Sequence, residues 1–324
     1  MTAITRAATE AHPPRARQLS RDFSGRPLRR RELTALRVVL TVVLLISLWT
    51  AGQAKAAPAE VEYLQVPSEA MGRTIPVAFM SGGPRTVYLL DAFNAAPDVS
   101  NWVTAGDAFN VFAGKGVSVA APAGGAYSMY TNWEQDGSRQ WQTFLCDELP
   151  NWLAANKGTA ANGHAIVGAS QGASGAMEAA TFRPDRFRYA GAMSGYLAPE
   201  RTGVDGAITA GLMQYGGVDI RNMWGLPQLG RWKNHSPNAH SQLLVNSGTR
   251  LWVYSPQTLT ASDPAAMIGY PEIAQGTNRT FYAAYAAAGG RNGHFDFPVT
   301  GDHGWGSWSR ELAAMSNDVA DTIR

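Results

Sequence analysis

Short apolar runs alternate with longer stretches whose apolar side chains recur every three or four positions. Residues 62–66 and 74–80 read as an opening pair of strands, bounded by Pro67 and by Gly82-Gly83. Val87-Tyr88-Leu89-Leu90 is a continuous apolar run that stops at Asp91, and residues 116–121 form another that stops at Pro122. Residues 140–156 have helical spacing, with Trp141, Phe144, Leu145, Leu149, Trp152 and Leu153 on one side, and Pro150 predicts a kink inside that run. Residues 164–167 read as a strand, followed by a Gly/Ser turn and an Ala-rich helical stretch to Phe182. Further strands are predicted at 189–193, 251–254 and 293–297, a mainly helical stretch at 264–288, and an amphipathic helix at 308–323. This alternation predicts an α/β fold, a mostly parallel sheet covered on both faces, in one domain over residues 57–324. Residues 197–249 are rich in Gly and Asn, carry Trp224 and Trp232, and read as an insertion over the sheet.

The first 56 residues follow a different pattern. Arg29, Arg30, Arg31 and Arg37 precede an apolar run over 38–49, and Ala54-Lys55-Ala56 offers a small-x-small cleavage site. A run of about a dozen residues is short for spanning a bilayer. The expectation is an N-terminal basic region and signal peptide over 1–56, cleaved after Ala56, with an uncleaved signal anchor as the alternative. Cleavage would give a secreted or cell-wall protein with no stable membrane span. The charge divides at the same place. Ten of the 27 Lys and Arg fall in 1–56 against three of the 25 acids, which leaves 17 basic and 22 acidic residues, a net of −5, for 57–324. A dispersed acidic balance argues against binding nucleic acid, which needs clustered cations. The one cysteine, Cys146, excludes an internal disulfide and a cysteine zinc cluster, and its apolar neighbours predict burial.

Candidate chemistry centres on Gly168-Ala169-Ser170-Gln171-Gly172, the one Gly-x-Ser-x-Gly in the chain. It follows an apolar strand and precedes a helical run, the context of a nucleophile elbow, which predicts Ser170 as nucleophile. The alternative is a Gly/Ser turn that lets helix and strand pack closely. A serine nucleophile needs a base and an orienting acid later in the chain. His303 lies after the last strand and before the final helix, where a base belongs; His294 sits within a strand pattern and reads as a packing residue. Glu272 and Asp263 both follow the strand at 251–254. Asp263-Pro264 reads as a helix cap, so Glu272 is the expected acid. Oxyanion donors are expected from the backbone N–H groups of Gln171 and Phe93. Asp91 reads either as a binder of a sugar hydroxyl or as a turn cap. These residues call for no cofactor and no metal. Asn278-Arg279-Thr280 matches a glycosylation sequon by pattern only.

The chain resembles the antigen 85 family of mycolyltransferases. The resemblance is carried by residues 61–68, Val87-Tyr88-Leu89-Leu90-Asp91, residues 189–195, Trp252-Val253-Tyr254, Ala286-Ala287-Ala288-Gly289-Gly290 and His303-Gly304-Trp305. It implies an α/β-hydrolase fold, a location outside the cytoplasmic membrane, and acyl transfer between trehalose mycolates or onto arabinogalactan. It also implies Ser170, Glu272 and His303 as the triad, Phe93 and Gln171 as oxyanion donors, and Asp91 and Trp305 as sugar contacts. Residues 123–134 and 262–267 resemble a related secreted antigen branch regarded as non-catalytic. Asn94 stands where the family has Arg, Ala105 where it has Asn, and the paired cysteines after Trp133 are missing. That branch typically lacks the serine and the histidine, and this chain keeps both. Two readings follow. One is a serine acyltransferase or carboxylesterase. The other is a non-catalytic protein that binds cell-wall carbohydrate or fibronectin through aromatic surfaces at Trp224, Trp232 and Trp305, for which ordinary core or loop packing is the alternative.

Overall fold

A computed structural model of the chain describes residues 60–259 and 270–324, the side chains of 258–259 and 270–272 excepted. The leader expected over 1–56, its cleavage site and Asp263 lie outside the described residues. The strands are β1 (Val61–Ser68), β2 (Arg73–Met80), β3 (Thr86–Leu90), β4 (Ser118–Pro122), β5 (His164–Ala169), β6 (Phe187–Met193), β7 (Arg250–Tyr254), β8 (Thr258–Leu259), β9 (Gly293–Asp296) and β10 (Thr300–Gly301). Eight of them form one sheet in the order β1-β2-β4-β3-β5-β6-β7-β9. The first two pairings are antiparallel and all others parallel. β8 and β10 make a separate parallel pair.

The continuous apolar runs become central strands because both sheet faces are covered. In β3, Tyr88 and Leu90 join the core of one face with Phe144, Leu149 and Met177, while Val87 and Leu89 join the core of the other with Trp308, Leu312 and Ile323. This two-residue alternation follows from the pleat. The helices are α1 (Asn101–Thr104), α2 (Ala108–Phe112), α3 (Trp141–Thr143), α4 (Leu149–Lys157), α5 (Gln171–Phe182), α6 (Val204–Gly216), α7 (Arg221–Trp224), α8 (Ser241–Ser247), α9 (Tyr270–Ala287) and α10 (Trp305–Ile323). The kink expected at Pro150 is a π turn over Phe144–Glu148 between α3 and α4. Proline has no N–H to give, and the wider turn absorbs the missing bond. Cys146 is buried in the same stretch. Among the described residues no helix is long and apolar enough to cross a membrane.

Three sequence readings change. Residues 197–249 contain α6, α7 and α8. Ile208, Leu212, Met223, Trp224 and Trp232 form a core of their own with Met129, Trp133 and Tyr196, while Leu244 of α8 joins the core of the sheet. Trp224 and Trp232 are therefore not surface aromatics: they are buried edge to face at 5.3 Å. Their N–H groups donate to Thr131 Oγ1 and to the Gly225 carbonyl. α10 begins at Trp305 rather than at 308, because Asp302 and Ser307 cap it reciprocally. The Ser307 N–H donates to the Asp302 carboxylate at 2.9 Å, and the Asp302 N–H donates to Ser307 Oγ. Asn278 is wholly buried in α9 and donates to the carbonyls of Gly195 and Ala274, so the sequon is closed to modification in the folded chain.

Candidate active site

Parallel strands β5, β6, β7 and β9 end on the same edge of the sheet, and the polar residues of interest collect there. Between β5 and α5 the chain reverses within one residue, Ser170, at φ 55° and ψ −119°. Such an angle is costly for a residue with a Cβ and persists only when its surroundings fix it. The two motif glycines provide the space. A Cβ on Gly168 would meet the Gly172 backbone at 2.2 Å, and one on Gly172 would meet the Leu90 carbonyl at 2.4 Å. The Ser170 N–H donates to the Met193 carbonyl at 2.8 Å, which pins the turn to the end of β6.

His303 lies in the loop between β10 and α10 and returns to this point. Its Nε2 stands 3.1 Å from Ser170 Oγ. With the ring proton on Nδ1, Nε2 accepts the serine hydroxyl, the polarity a general base requires. The ring packs edge-on against Trp308 at 5.2 Å, which limits its rotation. His294 is on β9 and stacks on Trp252 at 3.8 Å, the packing role expected of it. Glu272 falls in the first turn of α9, with its side chain outside the described residues.

Gln171 opens α5, so its backbone N–H is among those left without an intrahelical acceptor at the positive end of the helix dipole. Phe93 lies in the loop that leaves β3, and its ring stacks on Tyr127 at 5.8 Å. Asp91 starts that loop. Its carboxyl is buried and Oδ1 accepts the Ser100 hydroxyl at 2.9 Å, while its N–H donates to the Tyr130 hydroxyl. Burial pushes the Asp91 carboxyl up to about 7, against the opposing pull of Ser100 and the N–H groups of Asn101 and Trp102. Trp305 is half-buried, edge-on to Trp102 at 4.9 Å and to Trp308 at 5.3 Å. Asn94 and Ala105 are exposed on the same loop and helix segment.

The sequence reading of Ser170 and His303 as a pair thus meets in space, although 133 residues separate them. It took no account of Ser100, Tyr130 or the Gln171 side chain. Tyr130 and the Gln171 side chain act through contacts between distant segments, and Ser100 through the closure of the loop after β3, which no local motif announces.

Residues 68–319 match the Esterase family model. The MPT51/MPB51 antigen of Mycobacterium bovis is 65% identical over 271 residues, 84% of this chain and 90% of that protein. The diacylglycerol acyltransferase/mycolyltransferase Ag85B of Mycolicibacterium smegmatis is 42% identical over 286 residues, 83% of this chain and 87% of that one. Among solved structures, that of Mycobacterium tuberculosis MPT51 superposes with a TM-score of 0.80 at 64% identity, covering 82% of this chain and all of that one.

Proposed function

The chain belongs to the Esterase family and, within it, to the MPT51-related branch of the antigen 85 family with its α/β-hydrolase fold, and from that premise we propose that it is a serine acyltransferase that works through an acyl-enzyme. The observation that carries this reading is the 3.1 Å approach of His303 Nε2 to Ser170 Oγ at a strained elbow. Ser170 Oγ attacks the ester carbonyl while Nε2 takes its proton. The N–H groups of Phe93 and Gln171 hold the oxyanion, and Glu272 orients the imidazolium. Collapse of the tetrahedral adduct breaks the bond to the leaving alcohol, which receives the proton back from His303. The oxygen of an incoming sugar hydroxyl, or water, then attacks the acyl carbonyl while His303 takes its proton; the bond to Ser170 Oγ breaks, and His303 returns the proton to the serine.

The acyl donor we propose is a mycoloyl glycolipid such as a trehalose mycolate, and the acceptor a second sugar hydroxyl, in trehalose or in arabinogalactan. Relatives named as mycolyltransferases support this choice. Trp305, half-buried beside His303, is the proposed sugar platform. The sugar contact expected of Asp91 requires the loop after β3 to open, since its carboxyl is buried. Export through the 1–56 leader, with cleavage after Ala56, completes the proposal and is checked by sequencing the mature N-terminus.

The binding-protein reading loses its main support, since Trp224 and Trp232 are interior. A fluorophosphonate probe separates the two. Stoichiometric labelling that maps to Ser170 and vanishes in Ser170→Ala supports the enzyme; a folded parent that stays unlabelled removes it. Acyl transfer from trehalose monomycolate, compared with release to water, then decides transferase against esterase.

A further inference from the structure

Gln171 stands next to the nucleophile, and its side chain is wholly buried, with both ends of the amide hydrogen-bonded. Oε1 accepts the Met129 N–H at 3.1 Å, and Nε2 donates to the carbonyls of Ala92 and Gly125, each at 2.9 Å. These partners fix which end of the amide is which. A backbone N–H can meet only the oxygen, and two carbonyls can meet only the NH2 group.

The Ala92 carbonyl is half of one rigid peptide unit, and the Phe93 N–H is the other half. In a trans peptide the two point in opposite directions within a plane. Whatever grips that oxygen therefore sets the direction of that N–H. Gln171 grips it from the first turn of α5, the helix that supplies the other proposed oxyanion donor.

The second segment held by the amide, residues 125–130, braces Phe93 from the far side. The Tyr127 N–H donates to the Phe93 carbonyl at 3.0 Å, and the two rings stack. This segment is strained, with Tyr127, Met129 and Tyr130 at φ of 51°, 57° and 51°. Three such residues within four positions need strong external restraint. Gln171 holds this segment at both ends, through Gly125 and Met129.

We propose that the Gln171 side-chain amide is the positioning group of the oxyanion hole, orienting the Ala92–Phe93 peptide and locking the strained 125–130 segment behind it. This inference rests on the acyl-enzyme reading for its kinetic consequence, but its structural consequence can be read without activity.

The test uses the full chain with two variants. Gln171→Met keeps length and loses all three bonds. Gln171→Glu keeps the Met129 bond and turns a carboxylate toward two carbonyls. On a p-nitrophenyl ester, kcat is expected to fall at least about 30-fold in both, as for loss of an oxyanion donor, with KM within about threefold. In Gln171→Glu the kcat relative to the parent should rise as pH falls, because the protonated carboxyl regains one donor. In both variants the Phe93 and Met129 amides should exchange with deuterium faster than in the parent. A folded Gln171→Met with kcat within about threefold of the parent overturns the proposal, as does unchanged exchange at Phe93. If Gln171→Met does not fold, the same two readings on Gln171→Glu decide. If the parent neither hydrolyses the ester nor takes the fluorophosphonate label, the acyl-enzyme reading has failed, and the exchange comparison still decides whether the amide positions this peptide.

Discussion

The turn from β5 through Ser170 into α5 and the cap over residues 197–249 draw on similar material: glycines, small polar residues and flanking apolar side chains. In the turn, a five-residue motif announces the geometry, although Gly172 makes room for the Leu90 and Asp91 carbonyls at the end of β3. Gly168 and Gly172 are required because a Cβ at either place would meet backbone atoms, and the strained angles of Ser170 follow. In the cap, nothing local decides whether a tryptophan faces in or out. Trp224 is buried because Thr131 accepts its N–H from a segment 93 residues away, and because His235 stacks on it at 4.4 Å. His235 is in turn fixed by Glu178 of α5, at 2.7 Å. The cap is thus anchored on the same helix that carries the elbow. A motif can be recognised where sterics act over neighbours, and aromatic exposure cannot be recognised where partners are distant.

The largest effects are expected at the elbow. Ser170→Ala should lower kcat/KM for ester turnover by at least about 10³-fold while the melting temperature stays near that of the parent, since the change removes only a hydroxyl. Gly172→Ala should act in the opposite way. The added Cβ clashes with the Leu90 and Asp91 carbonyls. A loss of about 3 kcal/mol or more is expected, seen as a fall in denaturant midpoint or in soluble yield. In the cap, Trp224→Ala should cost about 3–5 kcal/mol through the cavity it opens. If carbohydrate binding were lost with no loss of stability, the interior assignment of Trp224 would be wrong.

Smaller effects come from two buried titratable groups that pull against each other. His164 is buried and its Nδ1 accepts the Thr86 N–H, and burial, assisted by Arg85, depresses its pKa to about 4. Between that value and its ordinary 6.5, the unfolded chain binds the extra proton, so stability falls as pH drops through this window. Asp91 is raised to about 7 from 3.8, so the folded chain binds the extra proton in between and stability falls as pH rises. The two slopes oppose each other, each at most about 1.4 kcal/mol per pH unit. Relative to the parent, His164→Asn should add a decline of stability with rising pH between about 4 and 6.5, and Asp91→Asn a decline with falling pH. Chemical denaturation across pH 4 to 7.5 checks both. Parallel profiles for parent and variants would show that neither group titrates as its burial requires.

The continuous apolar run 87–90 and the pattern at 164–167 were readable as central strands, since both faces of such a strand are covered whatever covers them. His303 was readable from its place between the last paired strand and the closing helix. The helices α6 and α7 were not. Their apolar residues pack on Met129, Tyr196 and one another, in a segment whose glycines and asparagines read as loop. The role of Asp91 split at the same point: the residue was singled out, but its bond to Ser100 depends on how the loop between them closes.

The sequence by itself determined the eight strands of the main sheet, the elbow and its serine, and the histidine that meets it, and its resemblance to known segments pointed to the family. The strands, the elbow and the histidine rest on periodicity, on backbone sterics and on chain order, which can be read along the chain. Only the tertiary structure decided that Trp224 and Trp232 are interior, that the Asp91 carboxyl is buried, and that the Gln171 amide grips segments 46 and 79 residues away. Each of these depends on which polar groups lose water together. That is settled by packing between distant parts of the chain, where an unpaired buried group is too costly to keep.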